Sequence, residues 1–513
     1  MTQSHTFRVR CAFLLGTLLT ALSLQAQTTF QNPVIRGDVA DPSILRWGDA
    51  YYATGTSSEW APQYPLFRST DLVNWTQVGH VFNEKPSWTV SSFWAPELFS
   101  HDGKVFCYYS ARRASDNRSY IGVAVADRPE GPYEDHGPLV TYGSEDIDAF
   151  VFDDGGQLYI TWKAYGLDQR PVEILCQPLS ADGLSLCGEI SSIYTDSNYI
   201  GSEGQCIFHE GDWYYLLYSS RGCCGPGSDY EVRVARSRTV NGIYEPYDDN
   251  PILMRSADFQ ACGHGTLVTA PDGRRYYLCH SYQRGADFFL GRQPILQELV
   301  VGSDEWPHFL TGRLATARQP LPFAGTAQQP VTTFRDDFDG DALNVAWTWN
   351  YPFCNVSATL HRGQLLLGGT PCHDVAGAAL ALRPSSSRYS YETRLTGSSR
   401  ALAGLTWYGD DRSHIVFGRG DGRLQLVVVR DGQRSELFST PCRRDVTLRA
   451  TVTGGCHLTF AYSLDGRTWL DVPADAVDGL GIMCWDRVSR PGLYSAATPR
   501  HPATFDYFLM EPR

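Results

Sequence analysis

Five times between Gly48 and Tyr277 the chain repeats one short pattern: a polar tight turn, a pair of aromatic or bulky residues, then a β-rich run. The copies are Gly48-Asp49-Ala50-Tyr51-Tyr52, Asp102-Gly103-Lys104-Val105-Phe106, Asp154-Gly155-Gly156-Gln157-Leu158-Tyr159, Glu210-Gly211-Asp212-Trp213-Tyr214-Tyr215 and Asp272-Gly273-Arg274-Arg275-Tyr276-Tyr277. Their spacing of about 50 to 60 residues is the period of a propeller blade or a large solenoid unit. A short way upstream of each turn stands Asp41, Glu97, Asp148, Glu203 and, in the fifth copy, His264. Equivalent positions of a radial repeat face one axis. The phase therefore places four carboxylates and an imidazole around one central pocket, the layout of a catalytic site.

The rest of the chain divides around this repeat. Residues 1–26 read as an export signal: Arg8 and Arg10, an apolar run from Cys11 to Leu24, and a small-residue cleavage site ending at Ala26. The run falls short of the roughly 20 apolar residues that span a bilayer, so the mature chain is expected to carry no transmembrane segment and to be secreted or periplasmic. The repeat domain covers 27–320, and a Gly-, Pro- and Gln-rich linker covers 321–332. From 333 to 513 the texture becomes evenly spaced strands, such as Leu424-Gln425-Leu426-Val427-Val428-Val429 and Thr447-Leu448-Arg449-Ala450-Thr451-Val452. That spacing suggests a two-sheet β-sandwich. No long segment keeps a helical period, so the whole chain is all-β. A formal charge of −13 excludes nucleic acid, which needs basic surface to displace counterions, and fits an uncharged partner.

Hydrolysis of a glycosidic bond with inversion needs a carboxylate base for water and a protonated acid on the opposite face, roughly 6.5–9.5 Å apart. A third carboxylate beside the acid holds its proton on by like-charge repulsion. Asp41, Asp148 and Glu203 meet this need from three copies of the repeat. Trp60, Phe93 and Trp94, close to these motifs, either stack on sugar faces or fill the blade cores. Cys223 and Cys224 are adjacent: two unrelated thiols, or a vicinal disulfide forming a compact apolar plate suited to a sugar. Thirteen cysteines follow the leader, an odd number, and no CxxC pair marks a structural zinc site.

The ordered set Asn32-Pro33 through Ala40-Asp41-Pro42-Ser43, Phe93-Trp94-Ala95-Pro96-Glu97, Ile147-Asp148, Ser202-Glu203-Gly204, Gly263-His264-Gly265 and Gly291-Arg292 resembles family 43 glycoside hydrolases. The resemblance implies a five-bladed β-propeller followed by a concanavalin-like sandwich. It implies Asp41 as general base, Asp148 as modulator and Glu203 as general acid. Arg292 would bind the sugar, and His264 would face a structural Ca2+ or water on the axis, with no cofactor required. Partners would be arabinose- or xylose-containing oligo- and polysaccharides. The chain departs from the family pattern at Ala149 and Gln205, where proline is commoner. The expected activity is exo-acting α-L-arabinofuranosidase. The alternatives are a β-xylosidase or endo-arabinanase of the same family, or a carbohydrate-binding propeller without catalysis.

Overall fold

The computed structural model describes residues 28–164, 171–372, 377–482 and 487–513. The expected leader, 1–26, lies outside the described residues, as does Cys484 of the odd cysteine set.

The repeated turns close hairpins. Trp47 pairs with Ala50, His101 with Lys104, Asp154 with Gln157 and Glu210 with Trp213, so these loops are two residues long. Asp102 and Gly103 both have positive φ, 48° and 72°, the conformation that matches the twist of the flanking strands. The fifth turn is wider, between Thr269 and Arg275.

Each hairpin begins a four-stranded antiparallel sheet. The first strands are Ser43–Trp47, Thr89–His101, Asp146–Asp154, Glu203–Glu210 and Phe259–Thr269, giving blades 1 to 5 in chain order. Each first strand touches the next, and the fifth touches the first. The repeat is a closed five-bladed propeller. Closure is made by the ends of the domain: Thr29–Gln31 pairs with Arg318–Pro320. Buried Asn32 donates from Nδ2 to the Leu296 carbonyl (2.9 Å) and accepts the Leu296 amide (2.8 Å). Each such bond is worth about 1 kcal/mol net.

The expected linker is pinned to the propeller. Gln328 exchanges two hydrogen bonds with the Gln31 backbone, and Asn74 bonds the backbone of Ala327 and Gln329. Beyond it, a nine-stranded and a seven-stranded sheet pack face to face over one core containing Trp347, Trp407, Phe417, Leu448 and Phe508. The sandwich docks on blade 1. Trp60 is buried beneath the Arg490 guanidinium, 4.5 Å from its ring, and contacts Tyr408 at 5.8 Å. Ala61 and Trp349 exchange backbone hydrogen bonds of 3.0 and 2.7 Å, and Glu59 pairs with Arg487. Among the described residues no helix is long and apolar enough to cross a membrane.

Candidate active site

One residue per blade turns left-handed at the axis: Asp41 (φ 53°), Ala95 (39°), Asp148 (59°), Gly204 (58°) and His264 (44°). In blades 2 to 5 it coincides with a register shift between the first two strands. Bulges of this kind re-aim side chains beside active sites, and a non-glycine residue held there costs about 1–3 kcal/mol. The surroundings hold it. Each of the five amides donates to a side chain of the preceding blade: Ala95 to Thr56 Oγ1 (2.9 Å), Asp148 to Ser110 Oγ (3.0 Å), Gly204 to Asp148 Oδ2 (3.1 Å), His264 to Ser219 Oγ (2.7 Å) and Asp41 to His280 Nδ1 (3.0 Å). Gly204 is required as glycine: a Cβ there would lie 2.6 Å from His264 Cγ.

This ring corrects the reading of four equivalent carboxylates. Asp41, Asp148 and His264 occupy the left-handed position itself, and Glu203 precedes it by one. Glu97 follows it by two. Residues i and i+2 of a strand face the same way, so Glu97 belongs to a second layer below, where its Oε2 accepts Ser43 Oγ (2.7 Å) and Thr266 Oγ1 (3.2 Å).

In the upper layer, Asp41 Oδ1 lies 3.2 Å from Arg292 Nη1 and 3.5 Å from His264 Nδ1, and Oδ2 accepts Thr56 Oγ1 at 2.6 Å. Burial pushes this carboxyl up, but Arg292 and then His264 outweigh it and hold Asp41 well below the usual range. Asp41 is therefore ionised. His280, its ionisation brought down to about 4 mainly by burial, is neutral. His264 Nδ1 also faces Asp148 Oδ2 at 3.7 Å. Burial raises Asp148 to about 6, against the pull of His264 and with a push from Glu203.

Glu203 differs from expectation. Its Oε2 accepts Lys163 Nζ at 2.6 Å, and its Oε1 accepts the Tyr230 hydroxyl at 3.0 Å. Burial raises it, yet the Lys163 ammonium prevails and the net direction is down. Like-charge repulsion was expected to keep the proton on Glu203; the raised member of the pair is Asp148, because a lysine stands against its neighbour. Lys163, Tyr230 and His280 were not singled out in the sequence. The one signal was a lysine inside the apolar strand Thr161-Trp162-Lys163-Ala164.

Other expected residues separate. Arg292 reaches both Asp41 and Cys224 Sγ (3.6 Å). Cys223 and Cys224 form a vicinal disulfide, half-buried, with Cys224 against Arg292. Trp94 is half-buried, with Arg112 5.9 Å over its ring. Phe93 is fully buried against Tyr64 and Tyr351, so it presents no face to a sugar: it is blade core. Trp60 is likewise spent on the sandwich interface. Gln205, at a departure from the family pattern, donates to the Asp148 carbonyl and stitches blades 3 and 4. An axial Ca2+ would need six to eight oxygen ligands. Among the described residues, the one cluster of three metal-capable side chains is Cys456, His457 and Asp478, in the sandwich. The oxygens nearest His264 are already engaged by Arg292 and the Gly204 amide, so this donor set does not fit the ion.

The description "Glycosyl hydrolases family 43" matches residues 30–307, and "Beta xylosidase C-terminal Concanavalin A-like domain" matches 335–511. The chain is 28% identical over 499 residues to a Vibrio sp. protein named xylan 1,3-beta-xylosidase, covering 87% of this chain and 90% of the relative. It is 26% identical over 546 residues to a Bacteroides ovatus protein named non-reducing end alpha-L-arabinofuranosidase, covering 96% and 97%. A crystal structure of a family 43 mutant protein from Bacillus licheniformis superposes with a TM-score of 0.81 at 23% identity, covering 94% of this chain and 100% of that one; at that identity the likeness speaks for the fold. Propeller and matched domains together define a glycoside hydrolase. The chain belongs to glycosyl hydrolases family 43 and carries the concanavalin-like domain as its sandwich.

Proposed function

We propose that this hydrolase is exported and releases terminal α-L-arabinofuranose from plant cell-wall polysaccharide, inverting the anomeric carbon. The observation that carries the reading is one axial layer uniting Asp41, Asp148 and Glu203 from three blades, with His264 between the two aspartates. Asp41, ionised and oriented by Arg292 and Thr56, is the base that takes a proton from the attacking water. Glu203 is the acid that protonates the departing oxygen, from the protonated form that Lys163 confines to lower pH. Asp148 holds the acid's backbone through the Gly204 amide and shares the local negative charge. Acids on separate blades leave room for the water that inversion requires. Arg292, Trp94 and the Cys223–Cys224 plate contact the sugar, the first by hydrogen bonds and the others by stacking. The charged leader supports export to the periplasm or medium.

Exo action is supported by the sandwich docked on blade 1, where Arg487 pairs with Glu59: a wall on that side would limit binding to a chain end. A β-xylosidase is the second reading, favoured by the name of the Vibrio relative. The test is incubation with linear arabinan, branched arabinan and xylan, with chromatography of the first products and NMR of the first-formed anomer. Free arabinose of inverted configuration is expected. Arabino-oligosaccharides appearing first would rule out exo action, xylose alone would favour the xylosidase, and retained configuration would require a covalent intermediate.

A further inference from the structure

The ring of amide bonds has one irregular member. On the second strand of blades 2, 4 and 5, Ser110, Ser219 and His280 stand opposite Trp94, Glu203 and Gly263. Each accepts the amide of the next blade's left-handed residue. Blade 3 carries Lys163 at that position, opposite Ile147. An ammonium has three donors and no acceptor, so it cannot take the Gly204 amide. Asp148 Oδ2 takes that bond instead, and Lys163 is left to reach Glu203. Its side chain is 4% exposed and that of Glu203 18%, so salt and water screen the pair little.

We propose that Lys163 is a positioning residue for the acid: it fixes the plane of the Glu203 carboxyl and sets the pH at which that carboxyl gives up its proton. The inference rests on the reading of Glu203 as the acid. Lys163 on one oxygen and Tyr230 on the other leave the carboxyl no free rotation. The titratable groups around Glu203 are Lys163 from the second strand of blade 3, Asp148 from its first strand, Tyr230 from blade 4 and His264 from blade 5. Lys163 is the strongest of these in holding Glu203 down against burial. Removing its charge leaves burial opposed by the weaker His264 and Tyr230 alone, so Glu203 then keeps its proton to higher pH, and the alkaline limb of the rate profile moves upward.

The experiment is the pH profile of kcat/KM on an unactivated substrate for wild type, Lys163→Met, Lys163→Arg and Glu203→Gln. In Lys163→Met the alkaline limb should rise by about one to three pH units, with kcat changing more than KM, and Lys163→Arg should return it towards wild type. A limb that stays in place in folded Lys163→Met overturns the proposal. Should that variant not fold, carbon NMR of wild type decides it: Glu203 should titrate below its ordinary 4.5, and titration above that value overturns the proposal. Glu203→Gln separates the two readings. An inactive Glu203→Gln beside an unmoved limb sinks only the role of Lys163; a fully active Glu203→Gln sinks the acid assignment itself.

Discussion

Two layers of side chains share the propeller axis and treat a buried glutamate in opposite ways. In the lower layer Glu97 meets only hydroxyls, from Ser43 and Thr266. Burial dominates and pushes it up to about 8, so at neutral pH it is a neutral carboxylic acid filling the axis. In the upper layer Glu203 is half-buried, its side chain 18% exposed, and meets an ammonium, so its direction is down. Depth alone therefore does not assign chemistry to an axial acid. The partner from another blade does, because a charge at 2.6 Å in a poorly screened site outweighs desolvation, whereas two hydroxyl donors do not.

The largest test of this contrast exchanges each glutamate for its amide. Glu203→Gln should lower kcat/KM on an unactivated substrate by about 10²–10⁴-fold, the usual worth of a positioned proton donor, while Glu97→Gln stays within a few-fold of wild type. Similar losses in initial-rate assays of both would abolish the distinction between layers. Next comes Ser43→Ala. It strips the Leu98 amide of its acceptor (2.9 Å) as well as Glu97 of a donor, and should cost about 1–3 kcal/mol in urea unfolding; an unchanged midpoint would mean the lower layer tolerates unsatisfied groups.

The pH dependence of Glu97 gives a smaller, signed effect. Its folded value of about 8 lies above the ordinary 4.5, so between those values the native state holds a proton that the unfolded chain has lost. Stability then falls as pH rises through that window, by at most about 1.4 kcal/mol per unit. Glu97→Gln removes this slope, so its melting temperature should gain on wild type from pH 5 to pH 8 (about the span of that window). Parallel curves would contradict a protonated Glu97. Smallest is Tyr230→Phe, which removes one neutral donor from Glu203 and should change kcat/KM about two- to tenfold; a loss as large as that of Glu203→Gln would give Tyr230 a larger part than a supporting hydrogen bond.

The sequence displayed the blades because a tight turn has narrow chemistry: Asp102-Gly103 and Gly155-Gly156 state a hairpin on their own. It also displayed Asp41, Asp148 and Glu203, which lie on first strands, or two residues before one in the case of Asp41, at nearly constant distance from those turns. It blurred the layers, since a bulge shifts phase by one residue without altering composition, and Glu97 looked equivalent to Glu203. Lys163, Tyr230 and His280 were hidden for another reason. Lys163 and His280 sit on second strands and Tyr230 just before a third, and they meet the acids only through packing between or across blades, which no local pattern encodes. Phe93 and Trp60 misled in the reverse direction: an aromatic beside a motif serves core, interface or ligand equally well, and only burial separates these roles.

The seam at Asn32 has a consequence in time. Its partner Leu296 lies 264 positions later in the chain, and the strand that meets Thr29–Gln31 ends only at Pro320. Blades 1 to 4 can be synthesised in order, each a meander of neighbours, yet none of them can complete the circle. Thr29–Gln31 and Asn32 stay without their hydrogen-bonding mates until almost the last of the domain has emerged, and contacts of such span are slow to find. Until then the open ring offers the flanks of blades 1 and 5 to any other chain nearby, and the axial acids have no shared centre to face. Activity is acquired in one late event, when the beginning of the propeller meets its end.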